Sequence, residues 1–275
     1  MCKFRNFYGF CALDRGNNAK KRGGPDCYIQ GMKVALLGST GLVGKNVLKL
    51  LARLPQVVSV YCPVRNVPEL KDLGVLEGSS KIRFEEVDFE QINNQASESH
   101  QKLYSNFMGC DAAVCCLGTT LKQAGSKAAQ EKIDVRLPLS IAAIAKHAGV
   151  KNFLCVSAQG ADSHSPFFYN RLKGMLEEGL DMMGFETLTL VRPSLLLGSH
   201  KDKRFGEDLL QKTIGAHPEW IPSFFRPVHA ETVAAHLVTS ILRPPKDHVC
   251  ATDGKIGKRI IYNRVLAKTK VDELF

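Results

Sequence analysis

The sequence predicts an α/β protein in which a doubly wound parallel sheet is followed by a small C-terminal region. Short apolar runs alternate with segments that have the 3.6-residue period of an amphipathic helix, which is the order expected of βαβ units. The apolar runs are continuous, as in strands that are covered by helices on both faces of a sheet. This alternation breaks up after Pro193, so the chain beyond it is predicted to be smaller and rich in loops.

Each predicted element follows from its own residue pattern. Five compact apolar runs and one alternating run predict strands at residues 33–38, 57–64, 81–89, 111–118, 150–156 and 187–191. Apolar residues at helical spacing predict helices at residues 42–54, 128–148, 167–182, 230–242 and 258–267. Residues 1–31 lack such a period and contain Gly-Gly-Pro, so they are predicted to form a flexible N-terminal extension of a single domain at residues 32–275.

The composition excludes several classes of protein. The 275 residues are 44% hydrophobic, which is enough for a globular core, and they carry a formal net charge of +10. No apolar run approaches the roughly 18 residues of a membrane-spanning helix, so no transmembrane segment is expected. The positive charge suits a phosphate-bearing ligand, but no basic block with interleaved aromatic residues predicts nucleic acid binding. The eight histidines have no metal-ligand spacing, so no metal site is expected.

The cysteines and the N-terminal charges bear on location. The nine cysteines include no C-x-x-C pair, and several lie inside apolar runs, namely Cys62, Cys115, Cys116 and Cys155. They are therefore predicted to be free thiols that pack as small hydrophobic side chains in a reducing compartment, which favours a cytoplasmic location. Residues 1–31 contain six basic and two acidic residues, so a mitochondrial presequence is the alternative.

The first predicted strand leads into Gly38-Ser-Thr-Gly41-Leu-Val-Gly44 and then into a helix. Bound phosphates need backbone N–H groups and a helix N-terminus, with no side chain in the way. Gly38 permits a tight turn, Gly41 permits close approach of the phosphates, and Gly44 lets the helix pack against the strand. The position of this motif at the start of a βαβ series predicts a dinucleotide-binding domain of the Rossmann type.

The residue at the end of the second strand distinguishes the two nicotinamide cofactors. An NAD site usually has Asp or Glu about 20 residues beyond the glycines. Here the strand ends at Arg65, and no acidic residue lies between Gly44 and Arg65. A guanidinium binds a 2′-phosphate bidentately, and the hydroxyls of Ser39 and Thr40 lie in the same loop, so the sequence favours NADPH. Asp88, after the third strand, is a candidate acceptor for the adenine amino group. The alternative is that Arg65 and Asp88 are solvated strand ends.

A proton-transfer group is predicted on the helix at residues 167–182. Tyr169 and Lys173 are four residues apart and share one helical face. A neighbouring ammonium favours the phenolate form of a tyrosine, which is the adjustment that a general acid–base needs. Ser157, at the end of the fifth strand, is placed to hold a substrate oxygen. The predicted reaction is hydride transfer from nicotinamide to a carbonyl carbon, with Tyr169 donating the proton and Lys173 also holding the nicotinamide ribose.

Together these motifs resemble the short-chain dehydrogenase/reductase superfamily, in its atypical branch. More closely, residues 87–90, 115–120, 157–162 and 191–193 are similar to the Tat-interacting protein oxidoreductase-like family. The resemblance implies a Rossmann fold, bound NADPH and a catalytic set of Ser157, Tyr169 and Lys173. It also implies cofactor contacts at Gly38, Ser39, Thr40, Gly41, Leu42, Val43, Arg65, Asp88, Phe89, Leu117, Gly118, Tyr169, Lys173 and Ser194.

Other functions remain open from the sequence. Some members of the family are described as regulators, so an NADPH-binding regulatory or scaffold protein with protein partners is the second hypothesis. A sugar-nucleotide epimerase fits less well, because little chain follows Pro193 for a nucleotide-sugar domain.

Residues 200–226 are predicted to cap a small-molecule carbonyl substrate, with ordinary packing or an interface as the alternative. The expected assembly is a monomer or a homodimer.

Overall fold

The computed structural model describes residues 31–75, 80–197, 224, 226–244, 257–269, 271 and 274. The predicted N-terminal extension lies outside these residues except for Gly31. The predicted substrate-capping segment lies outside them except for Phe224 and Arg226. The fold below is that of the described residues.

The sheet is parallel and has the strand order of a Rossmann fold. The strands of the described residues are β1 Met32–Leu37, β2 Val57–Val64, β3 Ile82–Glu86, β4 Ala112–Cys115, β5 Asn152–Val156, β6 Thr187–Arg192, β7 Leu196–Leu197, β8 Val228–His229 and β9 Lys258–Tyr262. Seven of them form one parallel sheet in the order β3-β2-β1-β4-β5-β6-β9. β7 and β8 form a separate parallel pair. All six predicted strands are present, and the predicted fold class is confirmed.

Helices cover both faces of this sheet. The described helices are α1 Leu42–Arg53, α2 Glu98–Phe107, α3 Leu121–Ala124, α4 Lys127–Glu131, α5 Leu137–His147, α6 Phe168–Met182, α7 Ala230–Leu242 and α8 Asn263–Leu266. α1 and α7 pack on one face, and α2, α5 and α6 pack on the other. The consecutive residues Cys115 and Cys116 contact opposite layers, because successive side chains of a strand point to opposite faces.

Two elements differ from the sequence prediction. Residues 258–267 were expected to be helical, but β9 occupies the first five of them and pairs with β6. The adjacent β-branched Ile260 and Ile261 favour a strand, and pairing with β6, which is distant in sequence, stabilises it. The helix α2 was not predicted, because only Leu103 and Phe107 of its side chains are buried. It begins at Ser97, whose hydroxyl accepts the His100 N–H at 3.1 Å.

The helix predicted at residues 128–148 is present, but a π-helical turn at Lys132–Arg136 separates α4 from α5. Pro138 supplies the physical reason. Proline has no N–H to donate, and its ring conflicts with the carbonyl four residues earlier, which is that of Asp134. The wider turn places the Asp134 side chain in the interior, where the residue is fully buried.

The strand order reverses between the neighbouring strands β1 and β4. In open α/β sheets, ligands bind at this point, in the crevice outside the carboxyl ends of the strands. The loops that follow β1, β4 and β5 therefore lie where a site is expected. These loops contain Gly38, Gly118 and Ser157 respectively.

Candidate functional site

The loop between β1 and α1 lies in close contact with neighbouring backbone atoms. Gly38 has a φ of +76°, and a β-carbon on it would lie 2.9 Å from the backbone C and O atoms of Cys116. A β-carbon on Gly44 would lie 2.0 Å from the carbonyl oxygen of Gly38, so helix and strand meet without space for a side chain. The N-terminus of α1 has no side-chain cap and no acidic residue in its first turn. Its N–H groups are therefore directed at the space where an anion would bind.

A cleft of about 190 Å³ opens beside this loop. Six of the residues predicted to contact the cofactor line it, namely Gly38, Ser39, Thr40, Arg65, Phe89 and Leu117. Arg65 is exposed at the end of β2 and is followed by Asn66, which also lines the cleft. The structure thus brings together residues from the loops after β1, β2, β3 and β4.

The two hydroxyl residues of the glycine loop lie in different surroundings. Ser39 is fully buried beside the thiol of Cys62, whereas Thr40 is exposed. Burial raises the pKa of the Cys62 thiol to about 12, and the neighbouring Ser39 hydroxyl counteracts part of that rise. Between these two residues, Thr40 is therefore the one whose side chain is open to solvent.

Five further residues predicted to contact the cofactor do not line the cleft but are close in sequence to residues that do, namely Gly41, Leu42, Val43, Asp88 and Gly118. The start of α1 follows directly from Gly41 and contains Leu42 and Val43, of which Val43 is buried in the core. Asp88 is exposed, and its Oδ1 accepts the N–H of Glu90 at 2.9 Å. A β-carbon on Gly118 would lie 3.6 Å from Lys173 Nζ, so the loop after β4 passes close to one of the predicted catalytic residues.

The three predicted catalytic residues lie on the elements beyond β4. Ser157 directly follows β5 and is 2% exposed, and its Oγ has no hydrogen-bond partner among the described residues. Tyr169 lies in the first turn of α6 and is 43% exposed. Lys173 is buried one turn later, with Nζ 5.8 Å from the centroid of the Tyr169 ring. The arrangement therefore places a buried cation beside an accessible phenol, which is what a tyrosine proton donor requires.

No protein-family model matches the chain, but whole proteins do. It is 31% identical over 220 residues to the protein HTATIP2 of Rattus norvegicus, which covers 80% of this chain and 85% of that protein. It is also 31% identical over 205 residues to the protein FMP52, mitochondrial, of Candida albicans, covering 74% of this chain and 84% of that protein.

The chain belongs to the HTATIP2-type family of atypical short-chain dehydrogenases/reductases. Solved structures agree with this family at the level of the fold. MoeE5 in complex with UDP-glucose and NAD has a TM-score of 0.56 to this chain at 12% identity, covering 83% of this chain and 74% of MoeE5. The HTATIP2-type chain thus has an NAD(P)-binding Rossmann fold of the kind found in oxidoreductases.

One buried carboxylate of this HTATIP2-type chain lies beside the predicted catalytic residue Lys173 and was not predicted from the sequence. Asp134 Oδ1 accepts the N–H of Thr119 at 2.7 Å, whereas its buried Oδ2 has no partner in the part of the chain that the structure describes. Burial raises the pKa of Asp134, and the positive charge of Lys173 opposes that rise. The sequence contained one indication of this arrangement. Pro138 lies inside an otherwise helical pattern, and a proline there disturbs the helix around Asp134.

The same charges act on the lysine. Burial by itself lowers the pKa of Lys173, but the neighbouring Tyr169 and Asp134 more than compensate, and the net pKa is raised. An acidic partner thus favours the ammonium form of a fully buried lysine. The neighbouring acidic groups thus favour the ammonium form of Lys173 despite its burial.

Three further findings concern the described residues only. No helix among them is long and apolar enough to cross a membrane. No group of three or more His, Cys, Asp or Glu side chains in residues 31–75, 80–197, 226–244 and 257–269 is arranged to hold a metal ion. The cysteines within the described part are free. Cys62, Cys115 and Cys155 are buried as predicted, whereas Cys116 lies just beyond the end of β4 and is only partly buried.

Proposed function

We propose that this chain is an NADPH-dependent oxidoreductase that reduces a carbonyl compound, with Tyr169 as the proton donor. The observation that carries the proposal is the buried Ser157 hydroxyl, which lies beside the sheet edge that carries the nucleotide cleft and lacks a partner in the described protein. An unsatisfied buried hydroxyl destabilises a protein by about 1–3 kcal/mol unless a ligand completes its hydrogen bond. A carbonyl oxygen is an acceptor of the required kind.

The residues around the glycine loop fit a dinucleotide. Gly38 and Gly44 leave no side chain in the cradle, and the uncapped start of α1 directs N–H groups at a pyrophosphate. Exposed Arg65 supplies the charge that a 2′-phosphate needs. MoeE5, which has the same fold, is solved with NAD bound. When bound, NADPH would supply the hydride.

The side chains of the catalytic residues have separate tasks in this proposal. Ser157 donates a hydrogen bond to the carbonyl oxygen and orients it. Tyr169 donates its phenolic proton to the same oxygen as the negative charge develops there. Lys173 stabilises the phenolate that remains, because its ammonium is buried next to the ring.

The test is NADPH oxidation with a panel of aldehydes and ketones. The variant Tyr169→Phe should reduce turnover about 100-fold or more, because a general acid contributes on that order, and NADPH binding should weaken much less because the aromatic ring beside Lys173 remains. Tyr104→Phe, on α2, is the matched control and should leave turnover at the wild-type rate. Tight NADPH binding by the wild type without turnover on any carbonyl would contradict the enzyme and favour the NADPH-binding regulator.

The preference for NADPH over NADH is tested separately by calorimetry. Arg65→Gln should weaken NADPH binding about 10- to 100-fold, the equivalent of one charge-assisted hydrogen bond, and leave NADH binding nearly unchanged. Arg53→Gln removes an exposed arginine from the far end of α1 and is the matched control. Equal weakening of NADPH and NADH by Arg65→Gln would remove the 2′-phosphate argument.

We also infer a mitochondrial location, with residues 1–31 as the targeting segment. The relatives from Candida albicans and Meyerozyma guilliermondii carry the word mitochondrial in their names, and the cytoplasmic expectation gains no support from them. The six basic and two acidic residues of this segment are consistent with a presequence. A reporter protein fused to residues 1–31 should enter mitochondria, and a diffuse cytosolic signal would contradict the inference.

A further inference from the structure

A buried asparagine joins three chain segments at the carboxyl edge of the sheet. Asn263 begins α8, directly after β9, and is fully buried. Its Oδ1 accepts the N–H of Ser194 at 2.9 Å. Its Nδ2 donates to the carbonyl oxygens of Arg226 at 2.9 Å and Phe224 at 3.2 Å. One amide side chain therefore fixes the loop after β6 to the segment that leads into β8.

The same residue is linked to the loop that carries Ser157. The Oε1 atom of Gln159 accepts the backbone N–H of Asn263 at 3.3 Å, and the N–H of Gln159 donates to Pro193 O at 2.7 Å. The N–H of Ser157 donates to Val191 O at 2.8 Å. The parallel ladder between β5 and β6 thus continues beyond the strands, and Asn263 is attached to both extended ends.

These bonds within the protein hold the conformation of the loop after β6. The N–H of Ser194 donates to Asn263, and its Oγ donates to Arg226 O at 2.7 Å. The two hydrogen-bond donors of Ser194 are therefore both engaged within the protein. A loop whose shape is fixed in advance lowers the ordering cost of binding.

We propose that Asn263 is a positioning residue for the nicotinamide half of the cofactor. It holds the loop after β6 and, through Gln159, the loop that carries Ser157. This inference rests on the proposed function, because it assumes that NADPH binds with its nicotinamide near Ser157. The adenosine half should be unaffected, since none of Ser194, Gln159, Phe224 and Arg226 lines the cleft beside Gly38 and Arg65.

The test separates the two halves of the cofactor. Asn263→Asp has the same shape and retains the acceptor for Ser194, but it cannot donate to the two carbonyls. Dissociation constants are measured by calorimetry for NADPH and for 2′-phospho-ADP-ribose, which lacks the nicotinamide. The constant for NADPH should rise about tenfold, the equivalent of about 1.4 kcal/mol, while that of the fragment stays within about twofold.

The chain offers a matched control at the opposite edge of the sheet. Asn152 begins β5, where its Nδ2 donates to Asp111 O at 2.8 Å and its Oδ1 accepts the Thr187 hydroxyl. Asn152→Asp makes the same chemical change in another residue that bridges strands. It should lower the melting temperature without changing the dissociation constant of either ligand.

Each result decides the inference. Wild-type NADPH affinity in Asn263→Asp, or equal weakening of NADPH and the fragment, would overturn it while leaving the proposed function intact. If wild-type protein binds neither NADPH nor the fragment, the proposed function fails and the inference fails with it. Should Asn263→Asp not fold, Gln159→Met removes the acceptor for the Asn263 N–H and must weaken NADPH but not the fragment. An unchanged NADPH affinity in that variant would overturn the proposal.

Discussion

The nucleotide half of the sheet, β1 to β3 with α1, is built differently from the catalytic half, β4 to β6 and β9 with α6. In the nucleotide half, the binding loop is backbone, and three glycines within seven residues define it. In the catalytic half, side chains from distant parts of the chain converge. Asp134 bonds Thr119 across 15 residues, and Asn263 bonds Ser194 across 69 residues.

The two halves should therefore tolerate different kinds of substitution. The nucleotide half depends on the absence of atoms, because a β-carbon on Gly38 or Gly44 would enter occupied space. The catalytic half depends on the presence of particular polar atoms, whose loss leaves buried groups unsatisfied. Adding a methyl group should therefore be damaging where a glycine has no space for it, as at Gly38 and Gly44, and removing polar atoms should be damaging at Asp134 and Asn263.

The largest effect is expected from adding a methyl group in the nucleotide half. Gly38→Ala forces alanine into a left-handed conformation and places its β-carbon 2.9 Å from the Cys116 backbone. Left-handed strain and overpacking together should lower the free energy of unfolding by about 3 kcal/mol, measured by urea denaturation.

Gly109 provides the control for that substitution. Its φ is +78°, close to that of Gly38, but a β-carbon on it would have no atom within 4 Å. Gly109→Ala should therefore lower the free energy of unfolding by only about 1 kcal/mol, the strain term alone. Equal losses for the two variants would show that crowding at the point of strand reversal is unimportant.

A smaller effect is expected from removing a carboxylate in the catalytic half. Asp134→Ala leaves the Thr119 N–H without its acceptor and Lys173 without a negative neighbour, which should lower the free energy of unfolding by about 2 kcal/mol. Asp88→Ala removes an exposed carboxylate of the nucleotide half and should change the free energy of unfolding by less than about 0.5 kcal/mol. Denaturation of both variants by urea measures the difference, and a larger loss for Asp88→Ala would reverse the comparison.

The smallest effect concerns acid. Burial lowers the pKa of His236, a buried residue of α7. Its Nε2 forms a hydrogen bond with the Thr269 hydroxyl at 3.1 Å. Below about pH 6.5 the unfolded chain binds a proton that the folded chain resists, so this residue decreases stability as pH falls through that range. His236→Gln should therefore lose less stability than wild type between about pH 7 and pH 5.

Thermal unfolding across this pH range measures the acid effect. His164→Gln, at an exposed position, is the control and should follow the wild-type curve. The opposite sign applies to Asp134: because its pKa is raised, its protonation on acidification favours the folded state. If His236→Gln and wild type respond identically to acid, the buried imidazole does not contribute.

Local patterns were sufficient for much of the fold. Apolar runs identified all six strands that they predicted, and the glycine spacing identified the loop that begins α1. The prediction of a helix at residues 258–267 was wrong for the first five of them, which form β9. Such a short segment becomes a strand only when a neighbouring strand pairs with it, as β6 does here. The spacing of Tyr169 and Lys173 predicted their contact, since residues four apart on a helix share a face.

For the remainder of the site the sequence contained only an indirect signal, which is Pro138 inside a helical pattern. Asp134 faces inward because Pro138 widens the helix into a π turn, and its relation to Lys173 depends on the packing of α6 against that turn. Asn263 reaches the loop after β6 only because β9 adds to the sheet beside β6. Neither contact has a fixed sequence spacing that a pattern would reveal.

The alternation of strands and helices, the glycine loop and the pairing of a tyrosine with a lysine could all be predicted from local sequence. These features depend on backbone periodicity and conformation, which act between residues a few positions apart. The contacts of the buried side chains of Asp134 and Asn263 could be seen only in the folded structure. Their polar atoms find partners far along the chain, because a buried polar group is stable only where the fold supplies its hydrogen bond.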